Sequence, residues 1–309
     1  MSPKTFSPHP SYPSEHAMKK TTFTVNILVL SFGILSLLPP ITAVEDVMAQ
    51  SLNVGGTGVG NYTHIQAALD NATSGDTIYV SPGTYLETLR ISTPVHLIGA
   101  DLHNTIINGQ TNDFVVILEA GNTTLSGFTI TQSKMKFPFA GVYVTSNHNI
   151  ISHNILTDNF YGIQLGYTTH HNIISNNTIQ HNHRCGVYFN HASFNTLQGN
   201  LVDDHPVNGF GLFEFSNNNI ITDNTFSDNR NTGVNIRESS DTIVRNNTFV
   251  QGQIAFHKPP PEYHTIADNN QFTDNVVSTE EERDAFVLTV VIFDFSVLLV
   301  YLLFRKISK

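Results

Sequence analysis

Residues 147–169 read NHNIISHNILTDNFYGIQLGYTT, residues 170–193 read HHNIISNNTIQHNHRCGVYFNHAS, and residues 194–217 read FNTLQGNLVDDHPVNGFGLFEFSN. The register continues through NNIITDNTFSDNRNTGVNIRESS at 218–240 and DTIVRNNTFVQGQIAFHKPPPEYH at 241–264, with a weaker copy beginning at Asn122. A period of 23 or 24 residues carrying β-branched pairs is the signature of one supersecondary unit per repeat. Each unit holds three short apolar clusters, for example Ile150 and Ile151, Ile155 and Leu156, and Ile163 and Leu165, separated by polar corners. That pattern predicts an all-β, right-handed parallel β-helix of about eight triangular coils. No coil buries its apolar side chains alone, so successive coils must stack, with parallel strands about 4.8 Å apart.

Two columns of asparagine accompany the strands. Asn154, Asn177, Asn200, Asn224 and Asn247 share one repeat position, and Asn149, Asn172, Asn195 and Asn219 share another. Their amides are expected to bond the coils above and below, with asparagine chosen because it tolerates a left-handed corner. Gly141, Gly162, Gly186, Gly209 and Gly233 recur likewise and are expected at corners of positive φ. Upstream, Ile65, Ala68 and Leu69 have the spacing of a short amphipathic helix that would cap the open end of the stack.

The flanks divide the chain further. Lys19 and Lys20 precede an apolar run from Phe23 to Leu38 and small residues around Ala43 and Ala49, so residues 1–50 read as an N-terminal extension and signal peptide. The β-helix is assigned to 51–276 and an acidic linker to 277–284. Residues 285–304 are nearly all apolar, and 20 residues at about 1.5 Å each match the roughly 30 Å of a bilayer core. Glu280, Glu281 and Glu282 lie before this run and Arg305, Lys306 and Lys309 after it. The positive-inside rule then places the 305–309 tail in the cytoplasm and the coils outside, as a single-pass cell-membrane protein.

A net charge of −10 without a basic patch in the repeats excludes nucleic acid as a partner. Cys185 is the only cysteine, which excludes an internal disulfide.

The segments IQAALDNATSGDTIYVSPGTY and VHLIGADLHNTIING, with the copies of NxIIxxNxIxxNxxGI, resemble the pectin-lyase-like superfamily. More narrowly they resemble NosD-type β-helix proteins, the carbohydrate-binding and sugar-hydrolysis repeat group and the repeat-built surface proteins of methanogenic archaea. The resemblance spans about 51–276. It implies the fold and leaves activity open among polysaccharide lyases, epimerases, surface scaffolds and a periplasmic protein of copper-site maturation.

The residues offer four chemistries. Asp158, His181, Asp204 and Asp228 fall in one column, where carboxylates near one another and near His181 would share a cation or bind an acidic sugar. His181, Asp204 and Asp228 are the candidate metal ligands, for Ca²⁺, Zn²⁺ or Cu²⁺. A uronate lyase or epimerase needs a base and a cation, roles open to His181 or His205 and to Arg184 or Arg230. Fifteen histidines also invite a transition-metal reading, with His170 and His171 adjacent, His181 and His183 close, and His148 one coil below His171. Finally, Tyr143, Gln164, Tyr188 and Asn235 should point outward, beside Glu214, Arg237 and Glu238, as a face on which a glycan stacks. The leading expectation is a membrane-anchored cell-surface protein that binds extracellular polysaccharide or serves as a scaffold. The alternatives are a lyase or epimerase of acidic glycans and a NosD-like copper-related factor.

Overall fold

The computed structural model describes residues 49–59, 61–251, 254–257 and 265–273. The expected signal peptide, acidic linker, transmembrane run and cytoplasmic tail lie outside the described residues. Among the described residues no helix is long and apolar enough to cross a membrane.

Among the described residues the strands form three wholly parallel sheets of ten, eight and nine strands, and from the strand Thr77–Val80 onward the chain visits the three sheets in turn. The solenoid is a right-handed parallel β-helix of about nine turns, one more than the repeat count suggested. Register follows the sequence copies directly: Ile150, Ile151 and Ser152 pair with Ile173, Ile174 and Ser175, and these with Thr196, Leu197 and Gln198. Alternation along each strand decides what enters the lumen. Ile151, Leu156, Ile163 and Leu165 are fully buried in one coil, and Ile174, Ile179, Val187 and Phe189 take their places in the next. Further along, Phe226, Phe249 and Phe272 stack with centroids 5.1 Å apart at each step.

The helix Ile65–Asn71 buries Ile65, Ala68 and Leu69 against this core, as their spacing predicted. Its N-terminus has no side-chain cap of its own. Instead the Glu87 carboxylate accepts the N–H groups of Ile65 and Gln66, both at 3.0 Å, which satisfies donors left open at a helix start.

Two expectations about the corners are corrected. The ladder asparagines are not themselves left-handed; the residue before each is, at His153, Asn176, Gly199, Asp223 and Asn246, with φ between 54° and 66°. The outward residue makes the turn, and the ladder asparagine then points into the wall, where it is buried. The column Gly141 to Gly233 has no positive φ either. These glycines are needed because coils touch there: a Cβ on Gly162 would lie 2.5 Å from the carbonyl oxygen of Gly186, and one on Gly209 2.7 Å from that of Gly233.

Candidate functional site

The eight-stranded sheet carries a groove on its outer surface. In the strand Cys185–Asn190, Val187 and Phe189 fill the lumen, so Tyr188 between them faces out. Register places Tyr143, Gln164, Tyr188, Gly211 and Asn235 in one outward column. At Gly211 the Phe213 ring takes the side-chain space, since a Cβ there would lie 2.3 Å from it. Beside it lies a cavity of about 490 Å³ lined by Phe137, Tyr161, Arg184, Tyr188, Phe213, Glu214, Arg237 and Glu238.

The groove is partly organised by its own contacts. The rings of Tyr161 and Tyr188 stack at 4.7 Å and 13°, and Tyr188 meets Phe213 at 5.3 Å. The Asn190 amide donates to the Tyr188 hydroxyl at 3.3 Å and to Glu214 at 3.2 Å, which ties an aromatic to an acid. Arg237 lies 3.6 Å from Glu238. Burial, with smaller contributions from Cys185 and Tyr188, pushes the Tyr161 phenol above its usual range, so it stays protonated near neutral pH. Gln164 and Asn235, in the same outward column, each hold a buried side-chain carbonyl oxygen with no hydrogen-bond partner. Neither residue lines the groove, and their oxygens are closed off from its surface.

Of the residues singled out in the sequence, the groove gathers Arg184, Tyr188, Glu214, Arg237 and Glu238. Tyr143 lies in the outward column but stacks on Phe114 at 4.5 Å. Arg230 is exposed and is not among the groove's lining residues. Phe137, Tyr161 and Phe213 were not foreseen. The signal for Phe137 is a break in the period: 12 residues separate the paired core positions Ile130 and Val142, where 7 separate Leu156 and Ile163 one coil on. The extra residues form the loop that brings Phe137 over the sheet.

The Asp158, His181, Asp204 and Asp228 column forms as a row of left-handed corner residues, φ 50° to 55°. Its chemistry is dispersed. His181 Nε2 lies 3.4 Å from Asp204, both well exposed, while Asp158 accepts from the Thr157 hydroxyl and Asp228 from that of Ser227. His205 is different, since it is fully buried and replaces an asparagine in a third ladder, Asn159, Asn182, His205 and Asn229. The Asn182 amide lies 3.1 Å from its Nε2, and its Nδ1 lies 2.8 Å from Asn229 Oδ1. A neutral ring protonated at Nδ1 satisfies both contacts. Both nitrogens are therefore occupied inside the wall, and the ring stands as a rung rather than as a base facing the groove. Desolvation lowers its pKa to about 4.

Among the described residues, His148, His170 and His171 each offer a ligand atom within 4.8 Å of the others, whereas His181, Asp204 and Asp228 do not form such a group. Cys185 packs with Ala140, Phe160 and Tyr161, and burial raises its thiol to about 11.

Fold and groove together define a three-sheet parallel β-helix protein of the pectin-lyase type. The chain belongs to the NosD family, described as "Periplasmic copper-binding protein (NosD)", which matches residues 69–287. No curated protein matches the sequence. Similar solved structures include a pectin methylesterase from carrot, with 13% identity, TM-score 0.56 and coverage of 75% of this chain and 89% of the other. An alginate lyase from Paenibacillus sp. str. FPU-7 has 15% identity, TM-score 0.51 and coverage of 73% and 97%. The pectate lyase Pel9A has 12% identity, TM-score 0.50 and coverage of 74% and 78%. At these identities the likeness is one of fold. The family description names copper, and the three imidazoles of His148, His170 and His171 are a donor set that suits it, being nitrogen ligands close enough to converge.

Proposed function

We propose that this chain is an exported surface protein that binds a polysaccharide along the outer face of its eight-stranded sheet. The groove carries the reading. Its volume of about 490 Å³ falls in the range of small-ligand pockets, roughly 300–1,000 Å³. Sugar rings present C–H faces that stack on aromatics such as Tyr188 and Phe213, and hydroxyls that bond charged groups such as Glu214 and Glu238. Among the groove's charges, Arg184 and Arg237 stand with Glu214 and Glu238, and Arg184 is the cation placed to meet a carboxylate on an acidic polymer.

The family description places its members in the periplasm, which agrees with a coil domain outside the cytoplasm. The apolar run 285–304 supplies the tether in this reading, and removal of 285–309 should move the protein from the membrane to the soluble fraction.

The test is binding of the purified protein to alginate, pectate and a neutral glucan, by affinity electrophoresis and calorimetry, with release of unsaturated uronate followed by absorbance. The expected result is preference for the uronate polymers, weakened about tenfold or more by a joint Tyr188→Ala and Arg184→Ala change. Absence of binding to every polymer, or equal binding by the double variant, would overturn the proposal.

A further inference from the structure

The geometry points to a three-imidazole site for a divalent transition-metal ion at the corner formed by His148, His170 and His171, independent of the groove. The repeat assembles it. His148 and His171 occupy the same corner position in successive coils, with φ of 61° and 57°, and their rings stack at 5.1 Å and 17°. His170 stands perpendicular to both, with centroids at 5.8 and 4.9 Å. Its Nδ1 lies 2.8 Å from Nδ1 of His171.

Two ring nitrogens at that distance require one proton between them, and a metal ion bound by both lone pairs takes that proton's place. Tetrahedral zinc holds imidazole nitrogens at about 2.0–2.1 Å, which sets neighbouring ligand nitrogens roughly 3.3 Å apart. The pair must therefore open by about half an ångström, a small change for rings at an accessible corner. Imidazole-only ligation favours Cu²⁺ and Zn²⁺ over Ca²⁺ and Mg²⁺, which seek oxygen. Three protein ligands leave the fourth position open to solvent or to an exchanging partner, as in sites that pass or use a metal rather than bury it.

Asn147 tunes the site from behind. Its Oδ1 accepts the backbone N–H of His170 at 2.8 Å, and its amide nitrogen lies 2.9 Å from Nε2 of the same ring. Metal on Nδ1 puts the ring proton on Nε2, where it meets an amide that is itself a donor. An aspartate at this position keeps the backbone contact and turns the second contact into a carboxylate that accepts Nε2–H, the arrangement that strengthens metal-bound histidine. The site is thus set for moderate affinity, and Asn147→Asp should raise it.

Titration of the full-length protein with Cu²⁺, Zn²⁺ and Ca²⁺, by calorimetry and by electron paramagnetic resonance of the copper form, tests this. The expected result is one Cu²⁺ or Zn²⁺ per chain at this corner, no Ca²⁺, and nitrogen hyperfine structure from the imidazoles. Joint His148→Asn and His171→Asn changes should weaken binding tenfold or more. Asparagine suits a left-handed corner, and Asn218 already holds the equivalent position two coils further on with φ of 56°, so circular dichroism should be unchanged. Asn147→Asp should tighten binding about tenfold. Wild-type affinity in the double asparagine variant, or no gain with Asn147→Asp, would overturn the assignment.

Discussion

Asn200 accepts at its Oδ1 both the backbone N–H of Asn177, at 2.9 Å, and the Asn177 amide, at 3.0 Å, and it donates its own backbone N–H and amide to Oδ1 of Asn224, both at 2.9 Å. It also donates to the carbonyls of Ile174 and Gln198. The rung therefore satisfies backbone groups as well as its neighbours' amides, inside a wall that water does not reach. Asn200→Ala strands several of them and should cost about 3 kcal/mol. Asn231→Ala removes an exposed amide with one contact, to Asn208, and should cost under about 0.5 kcal/mol. Denaturant unfolding of the two variants checks the contrast, which equal costs would contradict.

The glycine column gives a second stability test. A Cβ at Gly162 would sit 2.5 Å from the Gly186 carbonyl oxygen and 2.6 Å from a methyl of Ile179. Backbone on an adjacent coil cannot move aside without lengthening ladder bonds on both sides. Gly162→Ala should lower stability by about 2 kcal/mol or more. An unchanged unfolding midpoint would mean that the coils are more loosely stacked than they stand here.

In the groove, affinity and stability should separate residue by residue. Phe137 is 60% exposed on its loop, so Phe137→Ala should leave the unfolding midpoint nearly unchanged while weakening polysaccharide binding about two- to twelvefold, the range of roughly 0.5–1.5 kcal/mol for one aromatic contact. Tyr188→Ala removes both the ring that stacks on Tyr161 and a groove surface, and should reduce both quantities. Parallel melting and binding measurements on the two variants read this directly.

The repeat made most of this architecture legible. A 23-residue period fixed which residues stack, which side chains fill the lumen, the two asparagine ladders and the outward column through Tyr143, Gln164, Tyr188 and Asn235. It did not reveal which corner residue turns left-handed, because His153 and Asn154 are both plausible there by residue type and only the coil path decides between them. Nor did it show why glycine recurs, since the distance from Gly162 to the next coil is a three-dimensional quantity. Phe137 escaped because it lies where the period breaks. His205 was read by its chemistry as a base, while its register with Asn182 and Asn229 already placed it in a ladder.

That register gives a pH dependence whose sign can be worked out. His205 is buried and neutral, with its pKa lowered from 6.5 to about 4 chiefly by desolvation. The unfolded chain binds the proton near pH 6.5 and the folded chain resists it until about pH 4, so in this window the unfolded state holds more protons. The contribution of His205 to stability is thus fully present above about pH 6.5 and is lost as pH falls towards 4. Its size, from a shift of roughly 2.5 pH units, is about 3 kcal/mol. His205→Asn places in the ladder the residue that occupies the rungs on either side, Asn182 and Asn229, keeping the contacts without a titrating group. Denaturant unfolding at steps between pH 4 and 7.5 should therefore show a steeper loss of stability on acidification in the wild type than in the variant. Identical slopes for the two proteins would mean that His205 is not held neutral by the wall.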